Sequence, residues 1–406
     1  MERMKSGNIA TLSGSDYAVA TALGTAARVI FAARRTPKAG PGAVEQARSA
    51  LLIRPEGLGD IILTLPAIDC LRRANPQLRI AMVVRPMFAD FVRDIGVVDE
   101  TIALDYPKRS TLTWKDLASV LRQAKGMRGR YDLAFDFRGD PRNAMLGAWS
   151  ARAVFGEATI GTNFLLSQST ERRFDCARAL QHRELAAKVV RQGPGEDVPM
   201  RFSITLRSEV AERALAMAGG ESGYMQIHAG ASLPSKEWGT ERWKSLVRAL
   251  ADAGHRLVFT GAPGEEANLA QEIAASLGPE AGRWVNLAGK TTASELAGVV
   301  QGAGAVISPD TGVAHLAHAM RVPSVTIFGA ESELIYGYPN SSMNLAMYTE
   351  LECRPCCQRR CPRTDFPMEC MERITVDAVL RSVGQAMGAL RVLNGHDEAL
   401  PSALRA

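Results

Sequence analysis

Short apolar runs alternate with longer amphipathic segments along most of the chain. From residue 50 the apolar runs are ALLIRP, RIAMVV, ETIALD and YDLAFDFRG, and helical periodicity fills much of the sequence between them. The segments ILTLPAIDCLRRANP and TWKDLASVLRQAKGMR are each predicted to form one helix. Gly, Pro and Asp stand at many of the junctions, so the pattern indicates a parallel sheet covered by helices on both faces.

A second alternation begins near residue 223, with the predicted strands YMQIHAG, RLVFTGA, WVNLAG, AVISPD and SVTIFG. We therefore predict an α/β protein of two doubly wound domains that join near residues 195–205. Ligands bind beyond the carboxyl ends of the strands in such sheets, which places the expected site in the cleft between the domains.

The predicted organisation has four parts. They are an N-terminal helix and linker (1–48), an N-terminal domain (49–200), a C-terminal domain (201–375), and a C-terminal helix and tail (376–406). Within the first domain, residues 138–182 are predicted as loops. Their arginines, Arg138, Arg142, Arg172 and Arg173, suit acidic sugars or lipid phosphates, although exposed arginines need no ligand.

An apolar stretch, YAVATALGTAARVIFAA, lies in the N-terminal part. Arg28 interrupts it and Asp16 precedes it, so it is too short to span a bilayer and does not fit a signal peptide. We expect a helix that packs on the protein body or lies on a membrane surface.

Composition and net charge narrow the classes of molecule that the protein is expected to bind. The chain has 406 residues, of which 46% are hydrophobic and 22% charged, which is typical of soluble globular proteins. A net charge of +5 fits an acidic partner such as a nucleotide, a phosphorylated glycan or an anionic membrane. Aromatic residues make up 6% and there is no dense Lys/Arg run, which argues against nucleic acid as a partner.

ISPDTGVAHLAHA places a helix start directly after a strand. The amides of Thr311, Gly312 and Val313 would point out of the helix N-terminus, where the helix dipole favours an anion such as a diphosphate. The alternatives are that Asp310 only caps the helix N-terminus and that His315 only packs in the core.

Two further loops follow predicted strands of the same domain. HAGASLPSKEW carries Ser232 and Lys236, and a lysine there can neutralise a leaving diphosphate or simply be solvated. TGAPGEEANL places Glu265 and Glu266 in the first turn of a helix. A carboxylate there can accept hydrogen bonds from ribose hydroxyls, or it can only complement the helix dipole.

The turn IRPEGLGDIILTLPA differs from a nucleotide-binding turn. Gly57 and Gly59 are followed by Asp60, and Ile62 stands where the dinucleotide fingerprint has its third glycine, which argues against a dehydrogenase. At a helix N-terminus the pKa of the Asp60 carboxyl would be held low, so it would be ionised at neutral pH.

IRPEGLGDIILTLPAI, HAGASLPSKEW, GAPGEE and SPDTGVAHLAHAM occur in the order and spacing of one family. Over roughly residues 49–380 the chain resembles glycosyltransferase family 9, the bacterial lipopolysaccharide heptosyltransferases. The resemblance implies a GT-B fold of two Rossmann-like domains that face across a cleft. It also implies an inverting cytoplasmic enzyme, at the inner face of the membrane, that needs no catalytic metal.

The resemblance implies roles for the motif residues. The first domain would bind a glycan or glycolipid acceptor, with Asp60 as general base and Gly57 and Gly59 allowing close approach. The second would bind a nucleotide sugar, typically ADP-heptose, through Ser232, Lys236, Glu265 (or Glu266), Asp310, Thr311, Gly312, Val313 and His315. Transfer of another nucleotide sugar, and a non-catalytic nucleotide-binding scaffold, are the alternatives.

Five of the seven cysteines lie within residues 353–370, a clustering that suits a reducing compartment. Four of them have a spacing that can ligate structural zinc or iron, and some relatives in the family hold iron nearby: Cys353, Cys356, Cys361 and Cys370. Reduced or partly paired thiols that stabilise a loop are the alternative, and the additional Cys357 leaves the ligand set open.

Overall fold

The computed structural model describes residues 14–33, 36–106, 119–120, 122–158, 161–191, 202–278 and 283–393. The chain divides into two compact units, Met1–Arg201 and Phe202–Ala406. Of the helix predicted for TWKDLASVLRQAKGMR, residues 113–118 and residue 121 lie outside the described residues, and its C-terminal end is the 3₁₀ helix Ala124–Met127. Among the described helices, none combines the length and the apolar character that crossing a membrane requires.

The first unit is built on a parallel six-stranded sheet. Its strands are β1 (Ser49–Ile53), β2 (Arg79–Val84), β3 (Glu100–Ala103), β4 (Tyr131–Asp136), β5 (Ala151–Glu157) and β6 (Gln168–Thr170). They lie in the order β3-β2-β1-β4-β5-β6. The α-helices are α1 (Gly14–Ile30), α2 (Ala43–Gln46), α3 (Leu58–Ile62), α4 (Leu65–Ala74), α5 (Pro86–Ile95), α6 (Pro141–Ser150) and α7 (Arg178–Ala187).

The second unit repeats this topology. Its strands are β7 (Tyr224–Ile227), β8 (Leu257–Phe259), β9 (Trp284–Asn286), β10 (Ala303–Pro309), β11 (Ser324–Ile327) and β12 (Asn344–Met347), in the parallel order β12-β11-β10-β7-β8-β9. The α-helices are α8 (Ser208–Met217), α9 (Thr240–Asp252), α10 (Glu265–Ala275), α11 (Ala293–Gly302), α12 (Gly312–Ala319), α13 (Glu333–Tyr336), α14 (Glu369–Glu372) and α15 (Val376–Leu393). The prediction of two doubly wound α/β domains is confirmed.

Apolar side chains on both faces of each sheet form the cores. In β1 the run Ala50–Ile53 is fully buried, as expected for a parallel strand covered on both sides. In the second unit the buried rings of Trp238 and Trp243 meet edge to face, with centroids 5.0 Å apart. The Trp238 indole N–H donates to the carbonyl of Ile374 at 2.9 Å, which anchors the loop that carries Lys236.

The helix predicted for ILTLPAIDCLRRANP is confirmed by α4, but its predicted start is wrong, because Ile62 is the last residue of α3 and α4 begins at Leu65. Pro66 lies in the first turn of α4. A proline at that place in a continuous helix would lack its N–H and clash with the carbonyl of Ile62. The chain therefore ends one helix and begins another, which leaves α3 as a short element that ends just after Asp60.

The prediction of loops over residues 138–182 is also wrong. The segment contains α6, β5, β6 and the start of α7. Helix α6 ends at Ser150 and β5 begins at Ala151, so no loop separates them. Without Gly or Pro at that junction, the usual sequence signal for a change of element is missing.

Candidate active site

Each sheet reverses its strand order at one place, between β1 and β4 in the first unit and between β7 and β10 in the second. Loops leave the carboxyl ends of two adjacent strands in opposite directions there, which opens a crevice for ligands. Asp60 follows β1, Lys236 follows β7 and Asp310 follows β10. The motif residues of each unit therefore lie at its own switch point.

Asp60 is held at both carboxylate oxygens. Gly57 is the N-cap of α3, Gly59 lies in the first turn, and Asp60 is the third residue. Asp60 Oδ2 accepts from the Gly57 N–H at 3.1 Å, and Oδ1 accepts from Arg54 Nη2 at 3.0 Å. Its main-chain oxygen accepts from Arg54 Nε and from the Thr64 hydroxyl. The side chain is still 35% exposed, so the carboxylate is oriented and accessible.

Neighbouring charges set the ionisation of this carboxyl group. Burial disfavours the charged form of Asp60, but Arg54, then Arg138 and the Gly57 N–H, outweigh it and lower its pKa. Asp60 is therefore ionised at neutral pH, as the sequence predicts.

Arg54 and Glu56 are part of this site, and sequence reasoning missed both. Arg54 is only 1% exposed, and its Nη1 lies 3.3 Å from Glu56 Oε2. Glu56 in turn lies 3.5 Å from Asn143 Nδ2 and 4.0 Å from Arg138 Nε. Burial raises the pKa of Glu56 in spite of Arg54 and Arg138. The available signal was the charged pair in RPEG, directly after the apolar run ALLI.

The end of β4 completes the first site. Asp136 is fully buried, and burial raises its pKa to about 7 although Asn143 and the Arg138 N–H donate to it. Asp140 caps α6 by accepting from the Arg142 N–H and also pairs with the Arg142 side chain. Arg142 is thereby held in the structure, whereas the Arg138 side chain is about half exposed at the switch point.

The other two arginines of the segment 138–182, Arg172 and Arg173, lie just after β6. Arg173 pairs with Asp175 and Glu184, and the guanidinium of Arg172 lies 5.5 Å from the centroid of the Phe174 ring.

Lys236 and Asp310 form the central pair of the second site. Lys236 Nζ lies 2.6 Å from Asp310 Oδ2 and 3.3 Å from its main-chain oxygen, and both side chains are largely buried. Burial lowers the pKa of Lys236, but Asp310 and Glu331 more than compensate and raise it, so Lys236 stays cationic. Thr311, not Asp310, is the N-cap of α12, so the interpretation of Asp310 as a simple N-cap is wrong.

The first turn of α12 leaves amides for an anion. Gly312 and Val313 begin the helix, and the buried Val313 side chain anchors it. The Thr311 hydroxyl is buried without a hydrogen-bond partner among the described residues. His315 is buried, and its Nδ1 lies 2.7 Å from the Tyr338 hydroxyl. Burial, then Asp310, raises the pKa of Tyr338, which keeps that hydroxyl protonated.

A pocket of about 350 Å³ brings together Ser232, Glu265 and Glu266. The N–H of Ala262 donates to Glu266 Oε2 at 2.8 Å, while Glu265 is exposed. Gly230 is needed here, because a Cβ on it would lie 2.5 Å from Glu266 Cγ. The pocket is open to a polar ligand and presents carboxylates to it.

The motif residues thus occupy two switch points of matching topology. The family model for glycosyltransferase family 9 (heptosyltransferase) matches residues 120–366, more than half of the chain. The chain belongs to glycosyltransferase family 9. It is a glycosyltransferase, as the sequence motifs predict.

Family 9 relatives are similar in sequence and in fold. Lipopolysaccharide heptosyltransferase 1 of Pseudomonas aeruginosa is 26% identical over 77% of this chain and 86% of its own. The structure of Escherichia coli ADP-heptose LPS heptosyltransferase II superposes with a TM-score of 0.70 at 18% identity, over 84% of this chain and 99% of that one. Escherichia coli WaaC, solved with ADP-2-deoxy-2-fluoro heptose, gives 0.62 at 21% identity, over 82% and 97%. The predicted GT-B fold is confirmed.

The four cysteines of the predicted metal centre lie near one another, because burial and then Cys356, Cys353 and Cys361 raise the pKa of the Cys370 thiol. In the described part of the chain, no group of three or more His, Cys, Asp or Glu side chains is placed to hold a metal ion. Cys353, Cys356, Cys361 and Cys370 are free thiols. Burial raises the pKa of Cys356 and of Cys370, which keeps those two thiols protonated.

Proposed function

We propose that the protein is an inverting, metal-independent heptosyltransferase that uses ADP-heptose and a lipopolysaccharide-type glycan acceptor. Membership of family 9 and the names of its relatives support the sugar and the acceptor class. The observation that carries the proposal is the pair of charged constellations, Arg54–Asp60 and Lys236–Asp310, one at each switch point. We propose that both serve one reaction in the cytoplasm.

On the acceptor side, we propose Asp60 as the general base. It takes the proton of the acceptor hydroxyl as that oxygen attacks the anomeric carbon of the heptose. The new C–O bond forms on the face opposite the diphosphate, whose own C–O bond breaks, so the configuration inverts. The backbone at Gly57 and Gly59, without side chains, lets the acceptor sugar come close to Asp60.

On the donor side, we propose that Lys236 and the α12 amides of Gly312 and Val313 receive the leaving diphosphate. Asp310 already neutralises Lys236, so the amides and the positive end of the helix dipole must contribute strongly. His315 and Thr311 flank this place on the same helix.

The pocket beside Ser232 is the proposed nucleoside site. Of its two glutamates, Glu265 is the better candidate for the ribose hydroxyls, since it is exposed, whereas one carboxylate oxygen of Glu266 already accepts from the Ala262 N–H. A structural zinc or iron at the cysteine segment remains a prediction from the resemblance, to be tested by metal analysis of the purified protein.

A nucleotide panel and one substitution test the proposal. ADP should raise the melting temperature more than UDP or GDP, because ADP is the proposed leaving group. Stabilisation by UDP and not by ADP would point to a different nucleotide sugar.

Asp60→Asn should lower kcat by about 10²-fold or more while ADP binding is unchanged, because the amide cannot accept the proton. Asp90→Asn is the matched control, since the Asp90 side chain is 76% exposed and pairs with Arg93 on the same surface helix. Equal transfer by wild type and Asp60→Asn would remove Asp60 from the role of base.

A further inference from the structure

The cysteine segment, residues 353–370, lies beside the loop that carries Lys236. The Ser235 N–H, directly before Lys236, donates to the main-chain oxygen of Arg359 at 3.3 Å. The two partners of this hydrogen bond are far apart in the chain, so only the fold brings them together. The cysteine segment therefore supports one loop of the proposed donor site.

Arg354 joins the cysteine segment to the loop that follows β11. Its side chain is only 6% exposed. Nε donates to the main-chain oxygen of Gly329 at 2.6 Å, and Nη2 donates to the main-chain oxygen of Glu331 at 3.0 Å and to Glu333 Oε2 at 2.9 Å. Nη1 donates to the main-chain oxygen of Thr349 at 3.0 Å. One planar guanidinium thus fixes the whole loop, which the single nitrogen of a lysine cannot do.

The loop after β11 in turn contacts the loop that carries Lys236. A Cβ on Gly329 would lie 2.6 Å from the main-chain oxygen of Ser235, so the two backbones touch. The next residue, Ala330, accepts from the Cys357 N–H at 3.0 Å, which is a second link to the cysteine segment. The path from the Arg354 guanidinium to the Lys236 loop is therefore two contacts long, through Gly329.

The same loop also acts on the charge of Lys236. Burial lowers the pKa of Lys236, but Asp310 and then Glu331 raise it. Glu331 is one of the residues whose main-chain oxygen accepts from Arg354. A shift of this loop would therefore change both the support of the Lys236 loop and the electrostatic surroundings of its ammonium group.

We propose that Arg354 is a positioning residue of the donor site, which holds the loop after β11 against the loop that carries Lys236. The inference rests on the proposed function, which assigns the leaving diphosphate to Lys236. Arg354 does not contact the donor in this assignment, because its side chain is buried and all three of its nitrogens donate to protein oxygens. It acts by keeping the Lys236 ammonium in place, since a misplacement of about 1 Å can cost a binding group much of its effect.

A double-mutant cycle on ADP affinity tests this role in the full chain. By isothermal titration calorimetry, Arg354→Gln should raise the dissociation constant of ADP by about tenfold or more, because the loop after β11 loses its donors. In a Lys236→Ala background the same change should raise it by less than about threefold, because the group that Arg354 positions is already gone. A purely structural role would give the same loss in both backgrounds.

Arg363→Gln is the matched control, since Arg363 belongs to the same segment but pairs with Asp365 and Glu369 of that segment. It should bind ADP like wild type. Arg354→Lys keeps the charge and loses the planar set of donors, so its ADP affinity should lie between those of wild type and Arg354→Gln. Arg354→Lys takes the place of Arg354→Gln in the cycle if the latter does not fold.

The outcomes separate this inference from the proposed function. If wild type binds ADP, then equal losses in both backgrounds, no loss in either, or the same loss in Arg363→Gln would overturn the role of Arg354 and leave the proposed function intact. If wild type does not bind ADP, the proposed donor is overturned and the role of Arg354 with it.

Discussion

Arg54 shows how one side chain organises a site. Its guanidinium contacts Asp60 through Nε and Nη2 and Glu56 through Nη1, so two carboxylates share one buried cation. A lysine has a single nitrogen and cannot make this planar set of contacts. Arg54 and Glu56 are therefore positioning residues for Asp60: they orient its carboxylate and adjust how strongly it holds a proton.

Substitutions of this pair should move the pH dependence of transfer in opposite directions. Glu56→Gln removes a negative charge near Asp60, so the acidic limb of kcat/KM should move to lower pH. Arg54→Gln removes the cation that lowers the pKa of Asp60, so the limb should move to higher pH. Both shifts should be on the order of one pH unit. Arg54→Lys keeps the charge and should lower kcat with a smaller shift of the limb.

The charged groups around Asp60 make these directions specific. Arg138 and Arg178 also favour its ionised form, and Asp140 faces Glu56. They remain in all three variants, so a pH profile shared by all three would contradict the assigned roles of Arg54 and Glu56.

At the scale of elements, single residues decide where a helix begins and how closely it can approach its neighbours. Pro66 separates α3 from α4, and Gly24 allows α1 to rest on the backbone of Gly161. Both residues can be seen in the sequence, but only Pro66 acts locally, because its ring and its missing N–H interrupt a helix wherever they stand. The effect of Gly24 depends on a residue far along the chain.

Gly24→Ala should destabilise the first unit by about 1–3 kcal/mol, because the new methyl group meets the Gly161 backbone, which cannot move aside cheaply. The measurement is the free energy of unfolding from denaturant titration. Gly126→Ala is the control, since no heavy atom lies within 4 Å of a Cβ built there. A loss of the same size in both variants would contradict tight packing at Gly24.

At the scale of the whole molecule, the same parallel topology carries two different charged pairs. Both sheets have one reversal of strand order, and each reversal holds a Lys or Arg paired with an Asp. In the first unit the carboxylate is about one third exposed, whereas in the second the pair is buried beside the start of α12. That difference fits a base in one unit and an anion site in the other.

Hydrogen exchange with ADP should separate these two roles. We expect slower exchange in the loops after β7, β8 and β10, because the proposed nucleotide site lies there, and little change around Asp60. Lys236→Ala should weaken this protection by lowering ADP affinity about tenfold or more. Protection by ADP around Asp60 and none after β10 would contradict the assignment.

The sequence by itself determined the α/β class, the two domains and the places of Asp60, Lys236 and Asp310, because apolar periodicity and Gly or Asp at strand ends are local signals. Tertiary structure decided the pairing of Lys236 with Asp310, the contacts of Arg54 with Glu56 and the joining of Phe164 to α1. The first and last of these pairs join residues far apart in the chain. For Arg54 and Glu56 the sequence shows the charged pair in RPEG, but the contact itself depends on the geometry of the folded turn. Burial adds the remaining electrostatics, since a carboxyl such as Asp136 changes its pKa only once the fold removes it from water.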